Sequence, residues 1–128
     1  MKARVVLDAS AALAALLDES GGEEALRQLS GAAMSTANWA EVVERAISAG
    51  LPAEGLRGDF EGMGVRLVPL DADQAECAAR LRQPTRAAGL SLADRICLSL
   101  GLAEGLPVLT ADRAWTDLDL GVEVRLVR

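Results

Sequence analysis

Histidine is absent from all 128 residues. Its absence excludes imidazole-based general acid–base catalysis and the common histidine-bearing zinc sites. Any hydrolysis by this chain must therefore rely on carboxylates and a metal. Aromatic residues are almost as scarce, at 2% against 51% apolar, so the core must be aliphatic, built from Ala, Leu and Val. Cysteine occurs only at Cys77 and Cys97, in helical patterns and without the spacing of a metal knuckle. Two buried free thiols in a reducing cytosol are expected, with no disulfide. No apolar run approaches the roughly 18 residues needed to span a bilayer. The N-terminus enters a strand directly, with no signal-peptide apolar region, so a cytoplasmic protein is expected. Lysine occurs once, at Lys2, which removes the late lysine that a response-regulator receiver requires. Neither a phosphate loop ending in Lys-Ser/Thr nor a dinucleotide fingerprint is present. With a net charge of −6, the chain lacks the basic surplus of a general electrostatic nucleic-acid binder.

What is present alternates strand with helix. The run Arg4-Val5-Val6-Leu7 reads as a strand buried on both faces, and Asp8 follows it at once. Ser10 is placed to cap a helix over Ala11 to Leu17. A short helix over Glu23 to Leu29 leads to a weak strand at Ala32 to Ser35. Trp39, Val42, Val43, Ala46 and Ile47 have helical spacing from Asn38 towards Gly50, and Leu56, Phe60 and Met63 mark another helix. Val65 to Leu70 reads as a strand, followed by a helix to about Arg82 with Asp73 and Glu76 at capping-box spacing. Gln83 to Gly89 is a loop, and Ser91 to Leu102 a strongly apolar helix. A buried strand at Pro107 to Thr110 and an alternating edge strand at Val122 to Val127 close the chain. This order predicts a three-layer α/β/α fold with a mainly parallel sheet, in one domain spanning residues 1–128.

Four acids stand at the starts of helices. Asp8 and Asp112 follow strands, and parallel neighbours would present both at the sheet's carboxyl edge, where ligands bind in open α/β sheets. Glu41 lies three residues after Asn38, and Asp94 three after Ser91. Each has a plain explanation as a helix cap or half of a capping box. Asp94, however, sits in Ser91-Leu92-Ala93-Asp94-Arg95-Ile96-Cys97-Leu98, where a buried charge is costly unless paired or bound to metal. Two carboxylates ~4 Å apart repel by roughly 4 kcal/mol at an effective dielectric of 20. Helix N-termini offset only about 0.3–1 kcal/mol each. A divalent cation supplies the remainder, and all-oxygen ligands favour Mg²⁺ or Mn²⁺ over zinc. Such ions activate water for attack on a phosphodiester.

The segments Val5-Val6-Leu7-Asp8-Ala9-Ser10-Ala11, Ser35-Thr36-Ala37-Asn38-Trp39-Ala40-Glu41, Leu90-Ser91-Leu92-Ala93-Asp94 and Val108-Leu109-Thr110-Ala111-Asp112-Arg113-Ala114-Trp115 resemble the four conserved blocks of PIN-domain nucleases. Size and order also resemble the VapC-type toxins of bacterial toxin–antitoxin pairs. The resemblance implies a metal-dependent endoribonuclease with Asp8, Glu41, Asp94 and Asp112 as its acidic quartet. Asp8 and Asp94 are then the foremost metal ligands, with Asp112 beside them. Glu41 and Asp112 would orient the attacking water, and Ser10 and Thr110 would add hydroxyl hydrogen bonds. Glu41 fits the block better than Glu44, and Asp117 reads as part of a solvated turn. The resemblance further implies RNA as substrate, a cognate antitoxin lying over the site, and a homodimer or toxin–antitoxin hetero-oligomer. Arg86, Arg95 and Arg113 lie near the blocks and are candidates for contacts to RNA phosphates. Haloacid-dehalogenase-like phosphatases need a second aspartate where Ser10 stands, which counts against them. The remaining rival is a non-catalytic scaffold that binds RNA or protein through the same fold.

Overall fold

A computed structural model of the chain describes residues 3–128. Five short strands form one sheet: β1 (Val5–Leu7), β2 (Ala32–Ser35), β3 (Val65–Val68), β4 (Val108–Thr110) and β5 (Val124–Leu126). Their order is β3-β2-β1-β4-β5, and every pairing is parallel. The helices are α1 (Ala9–Leu16), α2 (Gly22–Gln28), α3 (Thr36–Ser48), α4 (Leu56–Gly62), α5 (Ala72–Arg80) and α6 (Leu92–Glu104). Two 3₁₀ turns, Arg86–Ala88 and Arg113–Asp117, lie in the connections. The expected three-layer α/β/α architecture is the one observed.

Successive strand residues point to opposite faces, and the core divides accordingly. Val5 and Leu7 of β1, Ala32 and Met34 of β2 and Leu109 of β4 pack with α1 to α4, including Val42 and Phe60. Val6, Ala33 and Val108 point the other way, into Cys97, Leu98 and Leu100 of α6 and into Trp115. β1 is buried at all three positions because it is central and covered on both sides. Cys97 is buried as expected, whereas Cys77 is half-buried on α5; both are free. No helix among the described residues is long and apolar enough to cross a membrane.

Several boundaries differ from the sequence-based expectation, each for a local reason. Ala32–Ser35, weak by composition, is an interior strand buried at every position, so burial outweighs intrinsic propensity. α3 starts at Thr36 because Ser35 caps it, its hydroxyl accepting from the Ala37 N–H at 3.2 Å. α5 is capped by Asp71, which accepts from the Gln74 N–H at 2.8 Å, and the expected Asp73–Glu76 box does not form. At the α1–α2 turn Gly21 adopts φ +85°, and a Cβ there would lie 2.5 Å from the Val127 carbonyl oxygen. Only glycine satisfies both the left-handed backbone and that approach.

β1 lies between β2 and β4, with Val6 opposite Val108 and Leu7 opposite Leu109. The chain runs outward from β1 to β3 and returns through α5 and α6 to β4. The resulting switch point opens at the carboxyl ends of β1 and β4, directly before Asp8 and Asp112.

Candidate acidic active site

Asp8 is the N-cap of α1, a place the sequence had suggested for Ser10. The residue is 4% exposed. Oδ1 accepts from the Ala11 N–H at 2.8 Å and from the Ser10 hydroxyl at 2.7 Å. Oδ2 accepts from Thr110 Oγ1, with the same Ser10 proton shared at 2.8 Å. The Ser10 hydroxyl also reaches across to the β4 end, while Thr110, the last residue of β4, accepts from its own chain two residues on. Ser10 Oγ accepts from the Ala111 N–H at 2.9 Å, and Thr110 Oγ1 from the Asp112 N–H at 3.1 Å. Ser10 and Thr110 therefore fasten the two strand ends together through Asp8. Burial pushes the Asp8 pKa up from 3.8 to about 6; the three donors pull it down, and Asp94 pushes it further up.

Asp94 lies in the first turn of α6 and forms a true capping box. Its Oδ2 accepts from the Ser91 N–H at 3.0 Å, and Ser91 Oγ accepts from the Asp94 N–H at 3.1 Å. The box occupies one carboxylate oxygen. Asp94 is half-buried and Leu92 is 55% exposed, so this first turn is wetter than the sequence pattern suggested. Asp112 caps the turn Arg113–Asp117, Oδ1 accepting from the Ala114 N–H at 2.9 Å, and is exposed.

Glu41 occupies the body of α3, and its pairing with Asn38 is not a capping box. The Asn38 side chain is buried, with 1% exposure. Its Nδ2 donates to the Ala93 carbonyl at 3.0 Å and to Glu41 Oε1 at 3.4 Å, while Oδ1 is buried without a partner. Asn38 thus ties α3 to the turn that carries Asp94. Burial raises the Glu41 pKa; the Asn38 bond lowers it, and Asp94 and Glu44 raise it. We expect Asn38→Ala to weaken Mn²⁺ affinity about tenfold, as loss of a group supporting metal ligands does. The stability loss should stay near 1 kcal/mol, because the unpartnered oxygen leaves with the side chain. Calorimetric titration checks this, and unchanged affinity would refute the role assigned to Asn38.

All four expected acids line one pocket of about 260 Å³, together with Ser10 and Arg45. Among the described residues, no three acidic or cysteine side chains are gathered tightly enough to enclose a metal outright. The carboxylates border an open pocket, and the joint cage of Asp8, Asp94 and Asp112 expected from sequence is not preformed. The all-oxygen donor set still suits Mg²⁺ or Mn²⁺. Mg²⁺ is commonly held by one or two carboxylates and several waters, an arrangement that needs no closed cage.

The three arginines singled out from the sequence do not line this pocket. Arg86 and Arg113 are exposed on the 3₁₀ turns. Arg95 is turned towards α5, Nη1 donating to the Ala78 carbonyl at 2.9 Å with Nε buried and unpartnered. Glu44 is exposed and outside the pocket, and Asp117 borders a different one beside Pro84 and Leu118. Arg45 was missed. Its signal was its spacing, four residues after Glu41 on the same helix face.

Comparison with solved structures places this fold among several toxin–antitoxin assemblies. A toxin–antitoxin complex from Klebsiella pneumoniae matches with a TM-score of 0.77 at 20% identity, covering 97% of this chain and 98% of that one. DNA-bound VapBC from Salmonella typhimurium gives 0.75 at 14% identity, covering 98% and 99%. FitAcB from Neisseria gonorrhoeae gives 0.69 at 20% identity, covering 94% and 95%. No curated protein matches the chain. The PIN-domain family profile matches residues 5–120, from the first residue of β1 to just short of β5, and the chain belongs to that family, whose members are generally nucleases.

Proposed function

We propose that this protein is a metal-dependent endoribonuclease, acting as a single domain and as the toxin of a toxin–antitoxin pair in the cytoplasm. The observation that carries the reading is the meeting of Asp8, Glu41, Asp94 and Asp112 at one pocket beyond β1 and β4. Four carboxylates from separate segments are unfavourable together unless they serve a cation. Mg²⁺ or Mn²⁺ would supply the positive charge and lower the pKa of a water. Asp8 would be its anchor, fixed by donors from both strand ends. Asp94 offers the oxygen that the capping box leaves unused, and Asp112 completes the rim. Glu41, with Oε1 held by Asn38 and a raised proton affinity, is suited to take the proton of the attacking water at Oε2. The water oxygen then bonds to phosphorus as the P–O bond to the departing ribose oxygen breaks, and that oxygen takes up a proton from solvent.

The toxin–antitoxin complexes among the structural relatives support a cognate antitoxin as partner in a hetero-oligomer; a homodimer of the toxin alone is the other assembly proposed. An arginine or lysine of that antitoxin would be drawn to the anionic pocket. Trp39, packed edge-on against Phe60 with ring centroids 5.2 Å apart, and the exposed Leu51 and Met63 are the apolar side chains we propose for contact with that antitoxin.

The deciding experiment is calorimetric titration of Mn²⁺ into the antitoxin-free protein and its Asp94→Asn variant, followed by RNA cleavage assays. The parent should bind at or below millimolar Mn²⁺ and cut RNA, with affinity at least about tenfold weaker in the variant. A parent indifferent to millimolar Mn²⁺ and Mg²⁺ would refute the nuclease reading. It would favour the non-catalytic scaffold, for which the caps made by Asp94 and Asp112 already give these acids a purely structural use.

A further inference from the structure

An acidic pocket on a protein of net charge −6 repels the polyanion it is proposed to cut. Among the residues lining it, the one base is Arg45. It stands one helical turn beyond Glu41 on α3, so both side chains leave the same helix face. Although Glu44 adjoins it in sequence and Glu41 lies a turn away, Arg45 is in none of the ion pairs found among the described residues. Arg27, Arg57, Arg66, Arg80 and Arg125 each pair with a carboxylate, and Arg4, Arg95 and Arg128 donate to carbonyls. Among the described residues Arg82, Arg86 and Arg113 are as unpaired as Arg45, but Arg45 alone of these lines the pocket. Arg45 is exposed, with its guanidinium donors uncommitted at the mouth of the acid cluster.

From this placement, and resting on the nuclease reading above, we infer that Arg45 is a substrate-binding residue that grips an RNA phosphate beside the acidic cluster. A guanidinium presents a planar fork that matches two phosphate oxygens and stays charged throughout the working pH range. A cation bound among the carboxylates cancels only part of their charge. Arg45 supplies a fixed positive charge on the wall formed by α3, and so sets which phosphate of the chain comes to rest against Asp8 and Asp94. The same charge opposes cation binding, since it shares the pocket with the metal. Removing it should therefore move the two affinities in opposite directions.

The test compares the parent with Arg45→Ala and Arg45→Lys. Binding of a fluorescein-labelled, mixed-sequence single-stranded RNA is read by anisotropy with Ca²⁺ in place of Mg²⁺, across a salt series. Cleavage kinetics and Mn²⁺ calorimetry follow on the same proteins. Arg45→Ala should raise KM about tenfold with kcat within about twofold, and reduce the slope of log affinity against log salt by about one. Its Mn²⁺ affinity should rise about two- to fivefold, with the parent's melting temperature kept because the side chain is exposed. Arg45→Lys should regain the salt slope and only part of KM, lacking the fork. A parent that cuts RNA alongside an Arg45→Ala variant with unaltered KM, RNA affinity and salt slope would overturn this inference and leave the nuclease reading standing. A parent that neither binds nor cuts RNA would overturn both.

Discussion

Replacing Asp8 with asparagine is expected to slow cation-dependent cleavage severely while making the cation-free protein more stable at neutral pH. The two effects share one origin. Burial raises the Asp8 pKa from 3.8 to about 6, so the folded protein holds this proton more tightly than the unfolded chain does. The stability this confers is fully present below about pH 4 and is lost as pH rises through 6. At pH 7 the ionised, buried carboxylate costs up to roughly 3 kcal/mol relative to its protonated form. Asparagine carries no such charge. Its Oδ1 can accept from Ala11 and Ser10 as the carboxylate does, but its amide meets the Thr110 hydroxyl, which must turn to accept. The net gain should be about 1–2 kcal/mol, or a melting temperature about 5 °C higher. Melts in chelator at a series of pH values check the sign: the variant's advantage should be full at pH 7–8 and shrink as pH falls from 6 to 4. With saturating Mn²⁺ the order should reverse, because the cation stabilises only a protein that binds it. Cleavage should fall roughly a thousandfold. A variant less stable than the parent in chelator at pH 8 would mean that Asp8 is above all a cap, whose hydrogen bonds outweigh its charge.

That result would also bear on what the sequence could reveal. Local signals were legible wherever chain neighbours suffice: the Ser91–Asp94 box, the strand–acid junctions at Asp8 and Asp112, and the helical face of α3. Non-local choices were not. Ser10 and Asp8 compete for one cap, and the carboxylate wins because Ser10 is needed one step further on, accepting from Ala111. Asp71 and Asp73 compete likewise, and the chain leaving β3 is already extended at Asp71, with φ −104° and ψ 174°. The arginines show the limit most clearly. Arg95 adjoins Asp94 in sequence, yet the packing of α6 on α5 turns its guanidinium to Ala78. Arg45 lies outside the recognisable blocks, yet α3 carries it to the pocket. Distance along the chain measured the wrong thing, because helix phase decides which side chain faces the acids.

Trp115 joins that geometry to stability, and Trp115→Ala should be the most destabilising substitution considered, at about 3–5 kcal/mol. The ring is fully buried at 0% exposure against Val6, Leu98, Leu100 and Val108. In a core with almost no other aromatics, aliphatic neighbours would have to collapse into the space it leaves, and close-packed interiors do so only partly. A fall in melting temperature of about 15 °C follows for a domain of this size. Trp115 also anchors the turn Arg113–Asp117, whose cap is Asp112. Loss of the ring should therefore cost Mn²⁺ affinity as well, measured well below the variant's melting temperature. Trp115→Phe separates the contributions. The indole Nε1 is buried without a partner, and removing that donor returns about 1–3 kcal/mol of desolvation cost against the lost volume. Phenylalanine should then melt within a few degrees of the parent and keep its Mn²⁺ affinity. If Trp115→Ala instead melts like the parent, the ring is not what holds Asp112 at the pocket. If Trp115→Phe is as damaged as Trp115→Ala, ring volume outweighs the unpaired donor.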